Sequence, residues 1–228
     1  MNQPNPTPPV ESSSQIGGYI IPSIVGALVV VGIVFVVVTV FTFATFPSIV
    51  SGPARPVYLR HPAVGKKFTG LSLAPLLGAD KPVALEDISG KVALLNFWGT
   101  WCGFCCAELP DVVALRQEFH DQPDFELLLV SCGAPDDPAE DDLQKLRGNT
   151  QAYVARAQIQ APMYADPGSA SRDAFGRMGE FPGYPAKILL DRHGVVRAVW
   201  FGGDPGRLKD LRAQIRTLLA EPAKAAGA

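Results

Sequence analysis

Asn96-Phe-Trp-Gly-Thr-Trp-Cys-Gly-Phe-Cys-Cys-Ala-Glu-Leu-Pro110 is the stretch whose reading decides the fold. It opens as the end of an apolar run, Lys91 to Trp98, bounded by Gly90 and Gly99, which is the pattern of a short buried strand. A helix is predicted next, from about Cys102 to His120, interrupted by Pro110. A Cys-x-x-Cys therefore sits at a strand-to-helix junction. Unpaired N–H groups and the positive end of the helix dipole stabilise a thiolate at the first cysteine. The thiolate, rather than the thiol, is the nucleophile. Two intervening residues put the second sulfur on the next helical turn, where it can attack a mixed disulfide. Cys102 is expected to attack and Cys105 to resolve. A lone Cys-x-x-Cys can also be half of a structural zinc site, but that needs a second pair of ligands. His61, His120 and His193 are scattered with no pair at ligand spacing, so no metal and no cofactor is expected.

Outward from this segment, Phe125 to Ser131 (FELLLVS) reads as a central strand. Pro138 to Gln158 has helical spacing, with Leu143, Leu146 and Tyr153 as candidate buried positions. Ala186 to Leu190 and Val195 to Phe201 flank Asp191-Arg-His-Gly194, a hairpin with a turn signal at its centre. Leu208, Leu211, Ile215, Leu218 and Leu219 mark an amphipathic last helix. Strand, helix, strand, helix, hairpin and helix make an α/β fold, a mixed sheet flanked by helices. The acidic stretch Asp136 to Asp142 lacks the spacing and glycine of an EF-hand loop and reads as the charged start of a helix.

The N-terminal third has a different character. Residues 1–18 are rich in Pro, Asn, Gln and Ser and are expected to be disordered. From Tyr19 to Phe46 no side chain is charged, and about 20 apolar helical residues span a bilayer core. The run is too long, and lacks the basic start and A-x-A-like site, for a cleaved signal peptide. Residues 19–46 are therefore expected to be one transmembrane helix in the lipid bilayer, with 47–63 as a Pro/Gly-rich linker, 64–221 as the globular domain and 222–228 as a tail. Arg55, Arg60, Lys66 and Lys67 follow the span, and the positive-inside rule favours a cytoplasmic domain. Disulfide chemistry favours the periplasm or cell exterior and is given the greater weight, since large domains translocate regardless of flanking charge. A net charge of −2 over 228 residues, with no Lys/Arg run, argues against a nucleic-acid partner.

The segment Asn96 to Pro110 resembles the active-site segment of the TlpA/ResA-like thioredoxins, bacterial membrane-tethered thiol-disulfide proteins. It is similar in the strand ending Asn96-Phe97-Trp98, in Trp101 before the first cysteine and in Glu108-Leu109-Pro110 after the second. Downstream, Phe181-Pro-Gly-Tyr-Pro185 followed by AKILLDRHGVV resembles that family's cis-proline loop, strand and turn. The resemblance implies a thioredoxin-like sheet, with Pro185 as the cis-proline and Tyr184 pairing its backbone with substrate. It implies substrate contacts from Trp101, Gly103 and Phe104 as well, and a helix kink at Pro110. Glu108 matches the family's acidic residue beside the dithiol, where a half-buried carboxyl would hold and pass a proton and raise thiol pKa values. Protein disulfides would be the substrates, for example apocytochrome c cysteines before haem attachment or cysteines of copper-site proteins, with a membrane electron donor recharging the dithiol. Cys106 and Lys187 depart from the family pattern, where a basic residue and a small threonine are usual. Cys132 reads as a small buried hydrophobe or as the partner of Cys106 in a second disulfide, and the cluster of Cys102, Cys105 and Cys106 reads alternatively as a Cu(I) site. A thiol peroxidase would need a Pro-x-x-x-Thr-x-x-Cys context, which the resemblance implies is absent.

Overall fold

The computed structural model describes residues 20–45, 56–137, 142–203 and 205–222; within the first helix, side chains are described for 26–38. The expected disordered N-terminus, much of the linker, residues 138–141 and most of the tail lie outside the described residues. The chain divides into two compact units, Met1–Ala54 and Arg55–Ala228. The first holds helix α1, Ile20–Thr45. Among the described residues, no helix is long and apolar enough to cross a membrane.

The second unit is a seven-stranded sheet in the order β2-β1-β5-β4-β3-β6-β7. Its strands are β1 (Ser72–Leu77), β2 (Val83–Ala84), β3 (Val92–Trp98), β4 (Phe125–Ser131), β5 (Met163–Ala165), β6 (Ala186–Leu190) and β7 (Val196–Phe201). β4 runs parallel to β3 and β5, while β6 is antiparallel to β3 and β7. The sheet is mixed, as expected. All seven residues of β3 are buried, because helices or loops cover both its faces. Strand alternation then divides the core into two layers. Leu94 and Trp98 point to the layer built with α2 (Gly103–Glu118), α3 (Leu143–Arg156) and α5 (Pro205–Ala220). Ala93, Leu95 and Phe97 point to the opposite layer, closed by Ala174 and Phe175 of α4 (Ala170–Gly176). Asn96, in step with Leu94 and Trp98, is a polar residue on the α2 side of the sheet, 2% exposed.

Several expectations need amendment. The second predicted helix begins at Leu143, where Asp142 accepts hydrogen bonds from the N–H groups of Gln144 and Lys145. Asp142 is therefore the helix cap, and the first turn that follows it holds no acidic residue, so the acidic stretch precedes the helix and does not form its charged first turn. Leu143 lies in that first turn and is exposed, whereas Leu146, one turn on, is buried. β1, β2, β5 and α4 come from segments to which the sequence reading assigned no element. Before residue 64 the chain is already packed. Val57–Leu59 forms a 3₁₀ turn, Tyr58 stacks on Trp200 of β7 at 5.0 Å between ring centroids, and Ala63 is fully buried.

Pro110 lies inside α2, as the sequence indicates. A proline has no N–H, so the carbonyl four residues earlier, that of Cys106, loses its helical donor. The Tyr153 hydroxyl of α3 donates to that carbonyl at 2.7 Å instead. The Tyr153 ring also packs against Trp98, with centroids 5.5 Å apart. The break in α2 is thus bridged from the neighbouring helix, directly behind the Cys-x-x-Cys.

Candidate active site

β3 ends at Trp98 and α2 begins at Gly103, so four residues bridge strand and helix. Gly99 allows the tight passage, since a Cβ there would lie 2.8 Å from the Cys132 carbonyl oxygen and would run into the Trp101 indole at Nε1 and Cε2. Cys102 is the N-cap of α2, its sulfur accepting from the Cys105 N–H at 3.2 Å. Cys102 and Cys105 are joined as a disulfide, with Cα atoms 5.2 Å apart. Cys105 is the deeper of the two, 2% exposed against 8% for Cys102. Around the disulfide, Gly103, Trp101 and Phe104 are exposed, Phe104 at 71%.

The antiparallel register pairs Phe97 of β3 with Ala186 of β6, which brings the start of β6 to the same end of the sheet as the dithiol. There Tyr184–Pro185 is a cis peptide. Trp101 joins the three segments: its Nε1 donates to the Cys132 carbonyl at the end of β4, and its ring meets Tyr184 edge-on at 5.1 Å. Tyr184 is held from the other side. Its hydroxyl accepts from Arg172 Nη1 at 2.6 Å, and Arg172 Nε donates to Asp166 Oδ2 at 3.0 Å. Burial, with Cys132 nearby, pushes the Tyr184 phenol well above its usual range, so it is a neutral hydroxyl. The Asp166–Arg172 pair was not singled out in the sequence. An acid and a base six residues apart in an unassigned segment gave no signal.

Glu108 lies three residues beyond Cys105 on α2, and residues at that spacing are neighbours on one helix face. It is buried, and it is not alone: Lys187 Nζ of β6 donates to Glu108 Oε2 at 2.7 Å. This amends the expected lone half-buried carboxyl, because the charge on Glu108 is matched by a buried ammonium. The usable sequence signal was a lysine within the otherwise apolar AKILL strand, all five of whose residues are buried. Burial pushes the Lys187 pKa below its usual 10.5, with Glu108 acting in the opposite sense and Arg207 adding to the lowering. Glu108 Oε1 and Asn96 Oδ1 are buried with no hydrogen-bond donor among the described residues.

Cys106 is half-buried, and burial raises its thiol pKa; its sulfur lies 3.5 Å from the Thr100 carbonyl. Cys132 is buried, and no disulfide joins it to Cys106. Among the described residues no group of three His, Cys, Asp or Glu side chains is arranged to hold a metal ion.

A redox-active disulfide at a helix N-terminus, faced by a cis-proline loop on a mixed sheet, defines a thioredoxin-fold protein built for dithiol–disulfide exchange. The model of the AhpC/TSA family matches residues 64–199, and the chain belongs to that family, among its ResA-type thiol-disulfide oxidoreductases. It is 30% identical over 139 residues to the thiol-disulfide oxidoreductase ResA of Halalkalibacterium halodurans, covering 61% of this chain and 69% of that one. The thiol-disulfide oxidoreductase YkuV of Bacillus subtilis is 31% identical over 140 residues, 61% of this chain and 85% of that one. The crystal structure of a putative thiol:disulfide interchange protein DsbE from Chlorobium tepidum shares the fold, with a TM-score of 0.55 at 24% identity over 68% of this chain and 97% of that one.

Proposed function

We propose that this protein is a membrane-anchored reductase of disulfides in exported proteins, acting through Cys102 and Cys105. The observation that carries the reading is the disulfide at the α2 N-terminus, its outer sulfur on Cys102 and its inner one on Cys105. In the reduced state the Cys102 thiolate attacks one sulfur of a substrate disulfide, forming a mixed disulfide and releasing the other as a thiolate. Cys105 gives up its proton to Glu108 and attacks the Cys102 sulfur. The second substrate sulfur leaves, two electrons have passed to the substrate, and the Cys102–Cys105 disulfide remains. Trp101, Gly103 and Phe104 form the exposed rim against which a substrate lies, with the Tyr184–Pro185 loop opposite.

No side chain from 19 to 46 is charged, and a run of about 20 apolar residues is what a bilayer-spanning helix needs, so the sequence around helix α1 supports an anchor. Leu28 and Ile33, both well exposed in that helix, favour an apolar solvent around it. On this reading 19–46 is the anchor, the domain faces the periplasm or exterior, and a membrane electron donor returns the dithiol to its reduced form. Exported substrates of this kind include apocytochrome c before haem attachment. Carriage of Cu(I) by the clustered thiols is the alternative.

The decisive assay is insulin-disulfide reduction by the pre-reduced protein. Turnover is expected from the native chain, and Cys105→Ser should stall as a mixed disulfide on Cys102. Absence of turnover, or full turnover in Cys105→Ser, sinks the proposal; copper binding that survives in a Cys105→Ser protein devoid of reductase activity favours the alternative. A reporter fused after Glu221 that is active only in the cytoplasm refutes the orientation.

A further inference from the structure

Lys187 has no obvious business in the middle of β6. It is 2% exposed, it pairs across strands with Asn96 of β3 and Trp200 of β7, and its neighbours along the strand are apolar. Taking an ammonium out of water is costly unless a counter-charge meets it. Here it meets one oxygen of one carboxylate, Glu108 Oε2, and leaves Oε1 without a donor. That carboxylate is the one adjacent to the resolving cysteine.

The electrostatic stakes are large at this distance. Neighbours three residues apart on a helix lie about 6 Å from one another. At an effective dielectric of about 20, an unmatched carboxylate there disfavours a thiolate by about a hundredfold. An ammonium bonded to the same carboxylate turns that single charge into a short dipole and removes most of the penalty. Threonine or alanine at 187 could not reach across to α2; a lysine does.

We propose that Lys187 is a positioning residue for the exchange reaction: it neutralises the field of Glu108 at the dithiol and fixes Oε2, so that Oε1 is the oxygen that takes the Cys105 proton. The part concerning the proton rests on the function proposed above; the charge compensation does not. The other charged and titratable groups around the pair and the dithiol are Arg207 of α5, Cys106 with Tyr153 and Arg156, and Tyr184 with Arg172 and Cys132. Glu108 is the group bonded to Lys187, and this contact opposes the lowering of the Lys187 pKa that burial causes.

The test is a thiol titration of the full chain, read as the ultraviolet thiolate absorbance of the reduced minus the oxidised protein, so that Cys106 and Cys132 cancel. Lys187→Met should lower the thiolate fraction of the dithiol at neutral pH by about tenfold or more. Glu108→Gln should raise the fraction. The double variant Glu108→Gln/Lys187→Met should return to within about twofold of the native protein. Lys187→Arg keeps the charge and should keep the native curve. A folded Lys187→Met that titrates like the native protein overturns the proposal, as does a double variant that titrates like Lys187→Met alone. If Lys187→Met does not fold, Glu108→Gln alone is compared with the double variant: removing the ammonium should then lower the thiolate fraction about tenfold, and identical curves overturn the idea. The titration needs no substrate. Coupling without insulin turnover refutes the proposed reductase alone; turnover without coupling refutes the role of Lys187 alone.

Discussion

Tyr153→Phe removes one atom, the hydroxyl oxygen that donates 2.7 Å to the Cys106 carbonyl where Pro110 cannot. The ring, and its contact with Trp98, remain. The loss is therefore that of a single partly buried hydrogen bond, about 1 kcal/mol. For a protein of this size about 1 kcal/mol lowers Tm by roughly 3 °C. Calorimetry of the oxidised protein measures it, with the Cys102–Cys105 disulfide held constant across variants. The sharper test is a change of background. Pro110→Ala restores a backbone N–H that can reach the same carbonyl, so Tyr153→Phe should cost less than half as much there. An equal cost in both backgrounds would show that the hydroxyl acts on something other than the gap left by the proline, and the account of the α2 break would be wrong.

In the reduced protein, Cys102 should be alkylated before Cys105, because it caps α2 and is the more exposed of the two; peptide mapping that finds Cys105 labelled first reverses the assigned roles. Glu221 is paired with Arg197 through two contacts of 2.8 Å, which lower its pKa from 4.5. A depressed carboxyl contributes stability that is present above its unfolded pKa and lost as pH falls through the folded value. Native and Glu221→Gln proteins should therefore differ in Tm at pH 7 and converge as the pH falls through the lowered pKa of the Glu221 carboxyl; a difference that persists unchanged into acid excludes the ion pair as its cause.

Much of this site was legible because its signals are local. A buried run, a glycine, Cys-x-x-Cys and a helix lie within one short segment, and Tyr184–Pro185 stands directly before another buried run. What escaped depends on partners far along the chain. β5 is three residues long and is a strand only because β4 and β1 flank it. β1 contains Pro75 at the point where its register with β5 shifts, so it does not alternate cleanly. Leu143 fits the apolar spacing of its helix, but as the first helical residue after the Asp142 cap it extends past the region the sheet covers. Lys187 and Glu108 are 79 residues apart, and neither reveals the other until β6 is set beside β3 under α2.

The stack of Tyr58 on Trp200 bears on how the domain can be cut from the residues that precede it. β7 is the last strand of the sheet, and an outer strand offers unpaired backbone groups to any neighbouring chain. The Val57–Leu59 turn lies against that strand, and Pro56, Val57 and Tyr58 share a cavity with Val199, Trp200 and Phe201. A fragment trimmed at residue 64, where the recognisable homology begins, would strip the cover from Trp200 and leave an aromatic surface beside an open strand. A soluble fragment that starts before Pro56 retains its own edge guard, so the segment that reads as a tether also protects the domain from self-association.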